Sequence, residues 1–245
     1  MHTKNSRIWV LAALFGGVIG LSACLKNKEY EPQRQPYFAV VINGATAPAT
    51  VDVFNNGVKL NSDGPYKSGS SSFYFERQAG MHNFSFRDSK GVGLDSTLRQ
   101  YDSLQYYTIL TYNTGTTFKT TSTRENFSEL SNSQVNYRFI NLSNLSDSEP
   151  VDLYFNNKKV DSNRTFSPYA PWVTIPTPTS YVEYKVKLKG TDSVLAVGYA
   201  RGSDSNKQIQ LYRGNVYTFY LSGDKNATTA PTKLKVSYIP HTIEQ

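Results

Sequence analysis

Apolar and polar positions change rhythm early in the chain. Residues 8–21, Ile-Trp-Val-Leu-Ala-Ala-Leu-Phe-Gly-Gly-Val-Ile-Gly-Leu, form one apolar run, and after residue 24 no segment sustains a 3.6-residue period. The remainder of the chain is a series of short runs that alternate or are wholly apolar. Val51-Asp52-Val53 alternates and then meets Asn55-Asn56-Gly57, and Asn-Gly between such runs is a strong hairpin signal because both residues accept positive φ. Further runs span 72–77, 82–87, 106–112 and 117–121, then 172–175, 182–188, 194–199, 209–212, 216–221 and 233–239. Gly, Ser, Asn, Asp and Pro separate them. Roughly seven short strands per hundred residues predicts an all-β sandwich architecture.

The runs repeat. Phe38-Ala-Val-Val-Ile-Asn43 is echoed by Asn136-Tyr-Arg-Phe-Ile-Asn141. Val51-Asp-Val-Phe-Asn-Asn56 is echoed by Val151-Asp-Leu-Tyr-Phe-Asn-Asn157, with one residue inserted. Pro65-Tyr66 answers to Pro168-Tyr169, and Tyr107-Thr-Ile-Leu110 to Tyr217-Thr-Phe-Tyr220. A period near one hundred residues is too long for a solenoid and implies two whole domains. The expected organisation is a sandwich over 37–125 and a second over 135–245, with 124–134 as the junction.

Composition sharpens this in two places. Tyr (18) and Phe (13) are abundant against two Met and two Trp, a bias that suits pleated, half-buried surfaces. The single Cys, Cys24, excludes an internal disulfide framework, so packing alone must hold the folded part. The formal charge of +7 is dispersed, with no basic run longer than Lys158-Lys159. A clustered stripe is the usual footprint of nucleic-acid binding, and that class is set aside.

The N-terminus reads as an address. Lys4 and Arg7 precede the apolar run, whose fourteen residues are too few for a spanning helix of about 20. Basic start, short apolar core and small residues make a secretory signal over 1–23. Leu21-Ser22-Ala23-Cys24 resembles the lipobox of bacterial lipoproteins, which implies cleavage before Cys24 and lipidation of its sulfur. Two or three acyl chains, at about 0.8 kcal/mol per buried CH2, would anchor the protein almost permanently. Residues 24–36, polar and carrying Pro32 and Pro36, read as the lipidated Cys and an extended tether. The implied location is the outer membrane. Glu29 and Glu31 answer only in part to the acidic cluster that directs surface display in the Bacteroidota, so the periplasmic face and the cell surface both stay open.

Little chemistry presents itself. The histidines are His2, His82 and His241, too few for a zinc cluster, and no Gly-x-Ser-x-Gly elbow accompanies His82 or His241. Both are expected as exposed or half-buried residues. Asp52 and Asp152 fall one per domain and are expected to bond to backbone near the hairpins. Asp147, Glu149 and Asp152 are the alternative, a calcium group, without EF-hand spacing. No phosphate-cradling loop is present, and Gly91-Val-Gly93 reads as a turn. The candidate ligand contacts are aromatic: Trp172 and Tyr169 between two prolines, and Tyr66 at the position matching Tyr169. The competing expectation is that Trp172 plugs the core and that the matched tyrosines pack. Ser96, Ser103 and Ser193, each after an Asp on an expected loop, resemble the O-glycosylation acceptor triplet of the Bacteroidota.

The paired pattern of apolar-Arg-Phe-Ile-Asn and then Val-Asp-Leu-Tyr resembles the domain-of-unknown-function family DUF4397, over roughly 37–245. The first half departs from it, with Ala39-Val40 where the second has Arg138-Phe139. The resemblance implies immunoglobulin-like sandwiches in a cell-envelope setting, with no cofactor, no established activity and no catalytic residues to carry over. The expected function is a non-enzymatic binding or adhesion module for glycan or protein, joined to the membrane by its lipid. The alternative is a structural or accessory subunit of an envelope complex.

Overall fold

A computed structural model describes residues 34–203 and 205–241. The signal, Cys24 and most of the tether lie outside the described residues. Among the described residues there is no helix, and nineteen strands form four sheets. The first sandwich comprises β1 (Pro36–Asn43), β2 (Thr50–Asn55), β3 (Val58–Lys59), β4 (Tyr66–Lys67), β5 (Ser70–Ser71), β6 (Phe75–Gln78), β7 (Gly80–Arg87), β8 (Gly93–Tyr101), β9 (Tyr106–Thr114) and β10 (Thr117–Arg124). The second comprises β11 (Val135–Asn141), β12 (Val151–Phe155), β13 (Lys158–Arg164), β14 (Val173–Ile175), β15 (Val182–Leu188), β16 (Val194–Val197), β17 (Gln208–Ile209), β18 (Val216–Ser222) and β19 (Lys235–His241).

Both halves use one plan. One sheet runs β10-β9-β1 and onward to β5 and β6, the other β3-β2-β7-β8 with β4 on β2. In the second half the counterparts are β14-β11-β18-β19, and β13-β12-β15-β16 with β17 on β15. In each half the first strand pairs in parallel with a late one, Ala39 opposite Tyr107 and Tyr137 opposite Tyr217. Tyr107 accepts a hydrogen bond at its hydroxyl from the Asp102 amide (2.9 Å), and Tyr217 from the Tyr212 amide (3.0 Å). A tyrosine bonded back to the chain a few residues upstream is the tyrosine corner of immunoglobulin-like sandwiches.

Three cores result. Tyr37, Val41, Val53, Phe84 and Phe86 fill the first sandwich, and Tyr137, Phe139, Leu153, Tyr184 and Phe219 the second. The third lies between the sandwiches: Val40, Ile42, Leu110, Ile140, Leu142, Tyr220 and Ile239. Thus β1 sends Tyr37, Ala39 and Val41 into its own core and Val40 and Ile42 into the seam. Strands buried on both faces lose polar alternation, which is why 38–43 and 136–141 read as near-continuous apolar runs. The backbones approach closely: a Cβ on Gly44 would come 2.4 Å from Leu142 Cδ1 and 2.9 Å from the Thr111 carbonyl. From Gln35 onward the chain forms one compact unit.

The register corrects the repeat alignment. Asn56 and Asn156 play the same part, each exchanging backbone and side-chain hydrogen bonds with Asn83 and Glu183 respectively, so no residue is inserted between Val151 and the hairpin. Asn43 Nδ2 donates to the Tyr66 carbonyl and Asn141 Nδ2 to the Arg164 carbonyl. The counterpart of Tyr66 is therefore Arg164, not Tyr169. Two long strands, β8 and β13, fall outside the expected runs, as do the two-residue strands β3, β4 and β5. The inward positions of β8 are largely polar because they face the backbone of β10 and not the core. Asp95 accepts from the Thr120 amide (2.7 Å), and Arg99 donates to the Ser122 carbonyl (2.5 Å).

Candidate functional site

The seam carries one buried ion pair. Arg138, in the middle of β11, lies on the seam face where the first repeat has Val40; the register makes Ala39 the counterpart of Tyr137, so the sequence alignment of Ala39-Val40 with Arg138-Phe139 is shifted by one residue. Its guanidinium grips Glu125, the residue after β10, at both carboxylate oxygens (2.9 and 2.5 Å), with side-chain exposures of 7% and 2%. Arg138 Nε donates to Thr218 Oγ1 (2.9 Å), and a terminal nitrogen reaches Thr108 Oγ1 (3.4 Å). Thr108 and Thr218 are themselves counterparts in the repeat, so the arginine bridges both sandwiches. Trp172 lies over the guanidinium at 4.4 Å and against Phe127 and His241. His241 bonds Thr218 Oγ1 through Nε2 (2.7 Å) and the Tyr74 hydroxyl through Nδ1. Burial first, and the Arg138 charge second, hold the His241 ring well below the ordinary histidine pKa. A neutral ring suits its partners, since one ring nitrogen can accept from one hydroxyl while the other donates to the second.

Elsewhere the seam opens into a cleft of about 440 Å3. One wall is Gly69–Ser71 and Phe73 of the first sandwich; the other is 199–203, Tyr220 and 235–238 of the second. The 199–203 part of the second wall is an addition to the repeat. The offset between counterparts is 100 at Asn56 and Asn156 but 110 at Tyr107 and Tyr217. The extra residues fall where the single strand β8 is replaced by β16, a loop and β17. Gly198 opens this loop and must be glycine, because a Cβ there would sit 1.9 Å from the Tyr184 ring, whose hydroxyl holds the Tyr199 carbonyl at 2.7 Å. Arg201 then reaches across the seam. Its guanidinium lies 4.0 Å from the centroid of the Phe73 ring and donates to the Ser72 carbonyl (2.5 Å). Desolvation pushes the Arg201 pKa down from its ordinary value. Phe73 is 75% exposed.

The residues singled out from sequence do not converge. Cys24 lies outside the described residues. Tyr66 packs at the edge of the first core. Tyr169 is exposed and bonds Thr121 across the two halves (2.9 Å). Trp172 fills neither sandwich core but covers the seam ion pair. Ser103 and Ser193 sit outside strands and are exposed; Ser96 is also exposed but faces outward on β8, not on a loop. His241 is fully buried at 1% exposure, against the expectation of an exposed or half-buried residue, because β19 turns it into the seam. His82 is half-buried against Asn55 and the Gln78 carbonyl.

The repeated acids have repeated partners: Asp52 pairs with Lys59 (2.9 Å) and Asp152 with Lys159 (2.8 Å), and Asp152 also accepts from the Asn163 amide. Glu149 is taken by Lys225 at 2.5 Å, and that bond draws its pKa down to about 2. Among the described residues no three His, Cys, Asp or Glu side chains gather as metal ligands. Sequence reasoning missed Glu125, Thr108, Thr218, Phe73 and Arg201. Only Arg138 carried a signal, as a charge inside an apolar strand.

Fold and site together define a tandem of β-sandwiches fused through the outer faces of one sheet from each, with a cleft at the fusion. Residues 39–146, the first sandwich and the opening strand of the second, match the family described as Domain of unknown function (DUF4397). No curated protein matches the chain. Among solved structures, one described as "a putative cell adhesion protein from Bacteroides eggerthii" shares 11% identity, covering 85% of this chain and 95% of that one, at a TM-score of 0.22. Another, "a putative cell adhesion protein from Bacteroides uniformis", shares 10% identity over 87% and 99%, at 0.23. Overlaps this slight carry no argument.

Proposed function

We propose that the chain is a non-enzymatic binding or adhesion module of the bacterial cell envelope, held at the outer membrane by lipid on Cys24 and engaging a glycan or a protein. The observation that carries this reading is the seam cleft. Two sandwiches locked by an apolar core and a buried ion pair present its walls at a fixed separation, and pre-organised walls lower the ordering cost of binding. The lining offers aromatic rings, hydroxyls and cations, which are groups for holding a ligand. The resemblance of residues 21–24 to a lipobox, and the setting that the DUF4397 resemblance implies, support the envelope reading.

Protease shaving of intact host cells tests the reading. Loss of the mature chain, with a periplasmic control protected, is expected for a surface module. Protection until lysis would remove the adhesion role and favour the accessory-subunit alternative. Cys24→Ser should move the protein from the membrane to the soluble fraction in the same experiment.

A further inference from the structure

The cleft's chemistry narrows the ligand, on the premise that the cleft is the binding site. We infer that the cleft lined by Phe73 and Arg201 takes an acidic saccharide, with the sugar's carboxylate on Arg201 and Lys235 and its apolar C–H face against the exposed part of the Phe73 ring that the Arg201 guanidinium leaves open.

Three observations carry this. The cation is placed by a dedicated structure, since the loop that delivers Arg201 is absent from the first repeat and depends on the tight Gly198–Tyr184 contact. Arg201 is fixed before any ligand arrives, by the Phe73 ring and the Ser72 carbonyl. A guanidinium held in this way is ready for two-pronged recognition of a carboxylate. Among the described residues, no carboxylate forms an ion pair with Arg201 or Lys235, and none lines the cleft; Asp204 lies outside the described residues. A half-buried cation that no carboxylate among the described residues opposes is the complement of an anion.

The rest of the lining favours sugar over peptide or lipid. Ser70, Ser71, Ser203 and Ser237 supply hydroxyls around the aromatic Tyr199 and Tyr238. A uronic acid combines a carboxylate with a ring that is apolar on one face and hydroxylated at its edge, which is the same combination in complement. At about 440 Å3 the cleft is within the usual range of small-ligand sites.

The test is calorimetric titration of the full-length protein in detergent with tetragalacturonate, its methyl ester and maltotetraose. Saturable binding of tetragalacturonate alone is expected, weakened at least tenfold in Arg201→Gln and in Phe73→Ala, with Lys235→Gln as a third variant. Unchanged thermal unfolding would certify that each variant is folded. Equal binding of the ester or of maltotetraose would overturn the acidic specificity while leaving a carbohydrate-binding module. Binding of none of the three would overturn the saccharide inference; the broader envelope reading would then stand or fall on the shaving experiment. Tetragalacturonate binding unaffected by Arg201→Gln or Phe73→Ala would place the sugar elsewhere and overturn the assignment of the cleft.

Discussion

Arg138→Met would convert the seam from a paired site to an unpaired one. The methionine fills much of the arginine's stem volume, so the packing loss is small. What remains is Glu125, 2% exposed and stripped of its bidentate partner. Breaking a buried pair by removing one member costs about 3–5 kcal/mol, because the surviving charge stays desolvated. Thr108 and Thr218 lose a donor as well. For a unit of this size each kcal/mol is worth roughly 2–4 °C, so the midpoint should fall by about 6–20 °C. Replacing both members, Arg138→Met with Glu125→Leu, removes the stranded charge, and such exchanges are often neutral or stabilising. The double variant should recover the parent's stability or exceed it, by up to about 4 kcal/mol. Urea unfolding tracked by tryptophan fluorescence is well suited to this. Of the two tryptophans Trp9 lies in the expected signal segment, so in the mature chain Trp172 alone would report, and it lies on the guanidinium itself. A single variant losing less than about 1 kcal/mol, or a double variant as weak as the single, would refute the view that the pair is desolvated and interlocks the sandwiches.

The same geometry sets three further outcomes. His241 is held neutral in the fold, so the unfolded chain binds a proton first as pH drops. Its contribution is therefore absent above about pH 6.5 and destabilises progressively below that. Urea midpoints compared at pH 7.5 and 5 should show a smaller acid loss in His241→Gln than in the parent, and parallel losses would count against a buried neutral ring. Gly198→Ala drives a methyl into the Tyr184 ring and should cost about 1–3 kcal/mol by overpacking; chemical denaturation at or near parental stability would mean the loop yields freely. Lys159→Met should destabilise more than Lys59→Met, because Asp152 is 1% exposed and Asp52 21%. We expect roughly 1–2 kcal/mol against under 1, and thermal melts of the two variants side by side would expose a reversed order.

The sequence was a good guide to what repeats and a poor one to what joins. Alternation at 51–53, the Asn-Gly turn and the apolar runs at 38–43, 106–112, 136–141 and 216–221 locate strands, because those side chains fill cores. The family resemblance is answered by a match over 39–146, which takes in the motif at 136–141, stops short of the one at 151–154 and lies mostly on the half whose residues depart from the pattern. Strands β8 and β13 carry little such signal because, apart from Leu94, Tyr101 and Val160, which reach the cores, their residues meet backbone edges, polar partners or solvent, where polar side chains are stable. The site was hidden for another reason. Glu125 and Arg138 are only 13 residues apart but belong to different sandwiches, and with the remote His241 they come together only when sheets from both halves stack. Nothing local marks Phe73 or Arg201, whose proximity is a property of the pair of sandwiches.

The departures from the repeat are therefore the informative residues. Two copies of one sandwich, stacked through equivalent strands, form a seam that is mainly apolar, as at Ile42 and Ile140, with a few neutral polar contacts such as Thr121 to Tyr169. Such a seam would hold, but many slips of one flat face over the other would be nearly as good. A single charge placed where the other copy has Val40 changes that. Arg138 is satisfied in only one arrangement, with Glu125, Thr108 and Thr218 all within reach. Buried polar groups that choose one register over others at some cost in stability are known from coiled coils, and here the same logic would fix the sandwiches. The second departure, the loop after Gly198, depends on the first. Arg201 can stack on Phe73 only while the sandwiches keep their alignment, so a slip at the ion pair would dismantle the cleft. Arg138→Met should then lower affinity for a cleft ligand under conditions where the protein is still folded. The double variant, stable but without the alignment constraint, should bind as weakly as the single. Parental affinity in the double variant would separate the two features and show that the apolar seam alone sets the geometry.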